Sequence, residues 1–76
     1  MIKFIKLRIF NQKNEMIHSK ASRSKRRIMN FIEANDFQNC RLNLRVRYPD
    51  GMTNEGSYKT KKDLLLALHA FTESGL

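Results

Sequence analysis

The sequence predicts an α+β domain of the order ββαββα: a mostly antiparallel four-stranded sheet with two helices on one face. Three observations carry that expectation. Residues 40–48 alternate without a fault, with Cys40, Leu42, Leu44, Val46 and Tyr48 on one parity and Arg41, Asn43, Arg45 and Arg47 on the other. Such a period of two belongs to a half-buried strand with one apolar and one cationic face. Two later stretches change to helical spacing, and turn-forming residues separate the strand-like runs.

Residues 2–10 are the first expected strand. Ile5, Leu7 and Ile9 share one parity, and Ile2, Phe4, Lys6, Arg8 and Phe10 the other. Asn11-Gln12-Lys13-Asn14 is a turn cluster, after which residues 15–19 return as a short second strand carrying Met16 and Ile17. Ala21, Ile28, Phe31 and Ile32 then fall in one arc of a helical wheel, with Met29 at its border. A helix is therefore expected from Ser22 or Ser24 to Ala34, with either serine able to cap it. Asn35-Asp36 ends it.

The strand over residues 40–48 follows, and Pro49-Asp50-Gly51 turns the chain. Proline presets φ, aspartate suits a type I turn, and glycine tolerates the left-handed position after it. Residues 52–58 return as its partner, weakened by Asn54 and Gly56. Thr60-Lys61-Lys62-Asp63 has the form of a capping box and opens the last helix. Leu64, Ala67, Leu68 and Phe71 are its core stripe, and Ser74-Gly75 closes it. The expected core is Ile5, Leu7, Ile28, Ile32, Leu42, Leu44, Val46, Leu64, Leu68 and Phe71.

Seventy-six residues read as a single domain, 1–76, with no linker or repeat. A chain this short buries only roughly 60% of its unfolded surface, leaving little room for a deep catalytic cleft beside a full core. The charge is lopsided. Fifteen Lys/Arg face seven Asp/Glu, a net charge of +8, and residues 1–47 hold 12 of the basic and 3 of the acidic residues. That asymmetry points to an anionic partner: nucleic acid, an acidic protein or an anionic membrane. Cys40 is the only cysteine, so no intrachain disulfide forms, and its register makes it a small hydrophobe. Residues 1–10 are interrupted by Lys3, Lys6 and Arg8, and lack the apolar run of a secretory signal or a membrane span. A cytoplasmic location is the default.

Catalytic chemistry has little support. His18 sits on a strand and His69 on the far side of the last helix, neither with Cys, Asp or Glu at metal-ligand spacing. Asp63 is explained by capping, and Glu33, Glu55 and Glu73 are scattered. Gly51 and Gly56 lie in a hairpin, where they cannot form a phosphate loop. No enzyme activity, cofactor, metal or small-molecule substrate is expected.

Two basic groups remain as candidate sites. If the first strand lies beside the third, Phe4, Lys6, Arg8 and Phe10 join Arg41, Asn43, Arg45 and Arg47 on one open sheet surface. Arginines fork onto phosphates and stack on bases, and exposed aromatics offer base platforms. The bland alternative is a solvated face neutralised by Glu55 and other cross-strand carboxylates. A one-residue bulge would instead turn Phe4 and Phe10 into the core. The second group, Arg23, Arg26, Arg27 and Asn30, lies opposite the Ile28/Ile32 stripe. Cations there oppose the helix macrodipole, and the helix end is a place for a phosphate or carboxylate. The two groups should look in opposite directions. Leu66 lies off the core stripe, either as a lone exposed leucine or as a contact for self-association, for which a sheet edge is the other option.

Gly56 followed by Lys59, Lys61 and Lys62 at a helix start resembles the end of a double-stranded-RNA-binding domain, over about the last twenty residues. That fold's third strand has no counterpart here, and Leu64-Leu65-Leu66 replaces its small-residue helix pattern. The run Gly56-Ser57-Tyr58-Lys59-Thr60-Lys61-Lys62-Asp63-Leu64 also resembles the end of some small phage-encoded anti-CRISPR proteins, single-domain α+β chains of similar length. What that resemblance implies is a stoichiometric inhibitor docking on a CRISPR effector complex by protein contact; it carries over no functional residue. The leading expectation is a non-enzymatic module that contacts nucleic acid, or an acidic surface of a nucleoprotein complex, through the arginine face.

Overall fold

A computed structural model of the chain describes residues 4–73. The elements run β1 (Phe4–Phe10), β2 (Met16–Ser22), α1 (Lys25–Ala34), β3 (Arg41–Arg47), β4 (Thr53–Tyr58) and α2 (Lys61–Glu73). The strands form one sheet in the order β2-β1-β3-β4, and every neighbouring pair is antiparallel. The α+β layout ββαββα is therefore the observed one. Ile2 and the Ser74-Gly75 stop lie outside the described residues.

Both hairpins use the same three-residue loop. In the first, Asn14 N–H donates to the Asn11 carbonyl (3.0 Å) and Asn11 N–H to the Glu15 carbonyl (2.9 Å). In the second, Gly51 N–H donates to Tyr48 (3.0 Å) and Tyr48 N–H to Met52 (2.9 Å). A type I turn closed this way needs a left-handed residue before the chain re-enters the strand. Asn14 (φ 64°) and Gly51 (φ 91°) supply it. Asn11 Oδ1 reinforces the first loop by accepting from Lys13 N–H (2.9 Å) and Glu15 N–H (3.0 Å).

β2 is longer than expected, and the helix starts after Ser24, the later of the two expected caps. Pairing with β1 continues through Lys6↔Ala21 to Ile5↔Ser22, so Ala21 is a strand residue and no part of the helix stripe. Ladder bonds to the outer edge of β1 outweigh one alanine's helical position. Both serines then act at the helix start. Ser22 Oγ accepts from Ser24 N–H (3.0 Å), and Ser24 is the N-cap, its Oγ accepting from Arg27 N–H (3.3 Å). At the other end Asn35 Nδ2 donates to the Phe31 carbonyl (2.8 Å). Thr60 caps α2 by accepting from Asp63 N–H (3.1 Å).

The core lies between the helices and one sheet face. Ile5, Leu7 and Ile9 of β1 and Leu42, Leu44 and Val46 of β3 meet Ile28, Ile32, Leu64 and Leu68, all fully buried. α1 lies over β2 and β1, and α2 over β3 and β4. Phe71 packs against this core but is only half-buried; it lies near the end of α2, where the Tyr48 hydroxyl donates to its carbonyl. Phe37, a single aromatic among polar neighbours, is buried with the core. Its ring lies 6.0 Å from Phe31 and 6.3 Å from His18, with Lys61 Nζ 5.9 Å above it.

Gly56 has a packing role. A Cβ there would meet Tyr58 Cζ at 2.9 Å, so the bare backbone is what seats the Tyr58 ring against the sheet. His69 is half-buried and borders a shallow groove shared with Lys25 and Met29 of α1; it faces the other helix, not the far side. Among the described residues no helix is long and apolar enough to cross a membrane.

Candidate nucleic-acid interface

The sheet face away from the helices is assembled by the β1–β3 register. Phe4 pairs with Arg47, Lys6 with Arg45, Arg8 with Asn43 and Phe10 with Arg41. β4 adds Thr53, Glu55 and Ser57 beside Arg47, Arg45 and Asn43. Register alone thus places five cations on one surface: Lys6, Arg8, Arg41, Arg45 and Arg47. The only β-ladder irregularity near it lies between Ile9 and Phe10 on the β2 side. It leaves the β1–β3 register unbroken, so Phe4 and Phe10 stay on the open face.

The centre of the face is a bonded cluster. Asn43, only 6% exposed, accepts from Arg8 Nη2 (3.1 Å) and donates to Ser57 Oγ (3.2 Å) and Glu55 Oε2 (3.4 Å). Its parity predicted a solvent-facing position, but longer side chains from both neighbouring strands close over it. Glu55 also lies 3.8 Å from Arg8 and 3.7 Å from Arg45. Cross-strand neutralisation is therefore real but partial, since one carboxylate serves two of the five cations. Lys6, Arg41 and Arg47 have no carboxylate partner among the described residues.

The two ends of the face are built from arginine and phenylalanine. The Arg41 guanidinium lies 4.2 Å from the Phe10 ring centroid, and that of Arg47 lies 5.9 Å from Phe4. With six residue steps from Phe4 to Phe10 at about 3.4 Å each, the two Arg–Phe pairs stand roughly 20 Å apart. Arg41 is further held by Asn14 Oδ1, which accepts from its Nη2 (2.7 Å). The Nε–H groups of Arg8, Arg45 and Arg47 are buried without an acceptor. Phe10 with Asn14, and Asn43, hold the Arg41 and Arg8 guanidinium groups at the surface, so ordering these two has a lower entropic cost when an anion binds.

Arg23, Arg26 and Arg27 are exposed; Arg26 and Arg27 lie in the first turn of α1, and Arg23 just before its N-cap. The sheet separates them from the other five, so the eight candidate residues form two sites, not one. Asn43 as a hub, and Asn14 as the residue holding Arg41, do not emerge from alternation or composition. Both follow from contacts between distant segments. Among the described residues no three His, Cys, Asp or Glu side chains gather as a metal cluster. Comparisons with protein-family models, curated proteins and solved structures found no match to this chain.

Proposed function

We propose that this chain is a non-enzymatic, cytoplasmic binding module that takes nucleic acid across its open sheet face. The supporting observation, among the described residues, is five cations against one carboxylate on a sheet surface that no helix covers, with Arg41 stacked on Phe10 at one end and Arg47 near Phe4 at the other. Backbone phosphates meet Lys6, Arg45 and Arg47, while the Arg41–Phe10 stack and the Phe4 ring offer planar surfaces to unpaired bases. A single strand suits this arrangement better than a duplex, because stacking needs bases out of their pairs. Membrane contact and small-molecule turnover form no part of the proposal.

The test is fluorescence anisotropy with labelled single-stranded RNA, single-stranded DNA and a duplex over a range of salt. The affinity for single strands should fall by about 0.7 log units per log unit of salt for each phosphate contacted, a total slope of about −2 to −4 for three to five contacts. No binding at low salt would refute the proposal. The alternative is an anti-CRISPR-like inhibitor working by protein contact with a CRISPR effector complex. Complex formation that survives nuclease treatment and high salt would favour that reading, since packed interfaces depend on apolar anchors.

A further inference from the structure

At the Phe10–Arg41 end of the sheet, three connections converge around an open cleft of about 580 Å³. The β1–β2 loop brings Asn14, the α1–β3 connection brings Asn39 and Cys40, and β4 with its exit brings Tyr58 and Lys59; Arg41 closes the ring. The size lies within the range of small-ligand sites, about 300–1,000 Å³. Its lining contains two cations and no carboxylate. Glu15 lies in an adjoining depression, where its carboxylate accepts from Asn11 Nδ2 (3.4 Å).

The side chains are placed for recognition. Asn14 and Asn39 both adopt left-handed backbone, at φ 64° and 60°, which puts two amides on tight turns at the rim. Asn14 Oδ1 is engaged by Arg41 (2.7 Å), leaving its Nδ2 donors for a ligand. Arg41 belongs at once to the cleft and to the open face.

We infer that this cleft is a binding site for a nucleotide carrying a phosphate monoester. The phosphate sits between Arg41 and Lys59, and the amides of Asn14 and Asn39 meet the hydrogen-bonding edges of sugar or base. The inference rests on nucleic-acid binding at the open face to the extent that the nucleotide is the end of a bound strand; a free mononucleotide offers the same chemistry. In the first case Arg41 joins the two surfaces, and strand ends are distinguished from strand interiors.

Cys40 lies in the lining and, as the single cysteine, reports occupancy. Its alkylation by iodoacetamide is followed by intact mass with adenosine monophosphate, inorganic phosphate, and one oligonucleotide bearing either a 5′-phosphate or a 5′-hydroxyl. Amide chemical shifts of Asn14, Asn39 and Lys59 read the same occupancy in unmodified protein. The expected result is protection, with matching shifts, by the phosphorylated strand or by the mononucleotide, and little from the hydroxyl-ended strand. Protection by the phosphorylated strand alone identifies a strand end as the source, and by the mononucleotide alone a free nucleotide. Lys59→Gln should weaken that protection about tenfold, the loss of one charge-assisted hydrogen bond. Asn14→Gly, which keeps the left-handed backbone, should weaken it less. Equal protection by both strands, protection by inorganic phosphate as strong as by nucleotide, or no response at millimolar ligand would each overturn the assignment. Binding of the hydroxyl-ended strand to the open face is measured separately by anisotropy, so either site can fail alone.

Discussion

Glu55→Gln removes the one carboxylate that the described residues place on the open face, while keeping side-chain length and an amide oxygen for Asn43. In the wild-type chain Glu55 stands 3.7 Å from Arg45 and 3.8 Å from Arg8, with its side chain 44% exposed. Pairs this open contribute about 0–1 kcal/mol each. Losing both should lower stability by about 1 kcal/mol, or about 4–8 °C in Tm for a domain of this size. Asn43 retains Arg8 and Ser57 as partners, so the cluster should not collapse. Binding should move the opposite way. Arg8 and Arg45 lose their internal competitor, and one added phosphate contact should raise single-strand affinity about three- to tenfold at low salt. The log–log salt slope should steepen by about 0.7. Thermal denaturation and anisotropy on the same preparation measure both effects. If Glu55→Gln binds more weakly than wild type while remaining folded, Glu55 positions the arginines for some other ligand, and the competition argument is wrong.

Leu44→Ala should destabilise by about 2–5 kcal/mol in chemical denaturation, because Leu44 is fully buried opposite Leu7 at the centre of the sheet. A loss under 1 kcal/mol would contradict the packing. Gly56→Ala should destabilise by about 1–3 kcal/mol, the usual range for overpacking, since the new methyl meets the Tyr58 ring. Combining it with Tyr58→Ala should recover part of that loss, and simple additivity would show that the contact is unimportant. Leu66 is 60% exposed on α2. Leu66→Lys should leave the melting temperature near wild type and lower the solution mass if Leu66 joins two copies; an unchanged monomer mass and unchanged binding would leave it as plain surface.

How far each feature could be read from sequence follows the range of the forces that create it. Alternation in β3 is visible because the pleat acts within the segment: Leu42, Leu44 and Val46 are buried as their parity requires. The same holds for the Pro49-Asp50-Gly51 loop and for Thr60 as a cap, where turn chemistry is local. β2 carries no such signal, since its side chains are nearly all exposed and only pairing with β1 sets its extent. Helical spacing consequently places Ala21 in α1, whereas pairing with Lys6 makes it a strand residue. Phe37 has no periodic neighbours, and its burial depends on Phe31, His18 and Lys61 from three other elements. At the site, the sequence reveals which residues share a face but not their register. That Arg41 stacks on Phe10, that Arg47 lies near Phe4, and that Asn43 is covered are consequences of the β1–β3 pairing.

The central claim is that the strand arginines, not the helix arginines, hold the anionic partner. Two triple variants separate them: Arg41, Arg45 and Arg47 changed to Gln, and Arg23, Arg26 and Arg27 changed to Gln. Neither set includes a core residue, so both proteins should fold. Salt-dependent anisotropy with a single-stranded oligonucleotide compares the two directly. The strand triple should lose most of its affinity, with a salt slope shallower by about 0.7 for each contact removed, or about 2 in total. The helix triple should bind nearly as wild type. A helix triple that abolishes binding beside a strand triple that retains it would place the site on the opposite layer and contradict the assignment of the open sheet face.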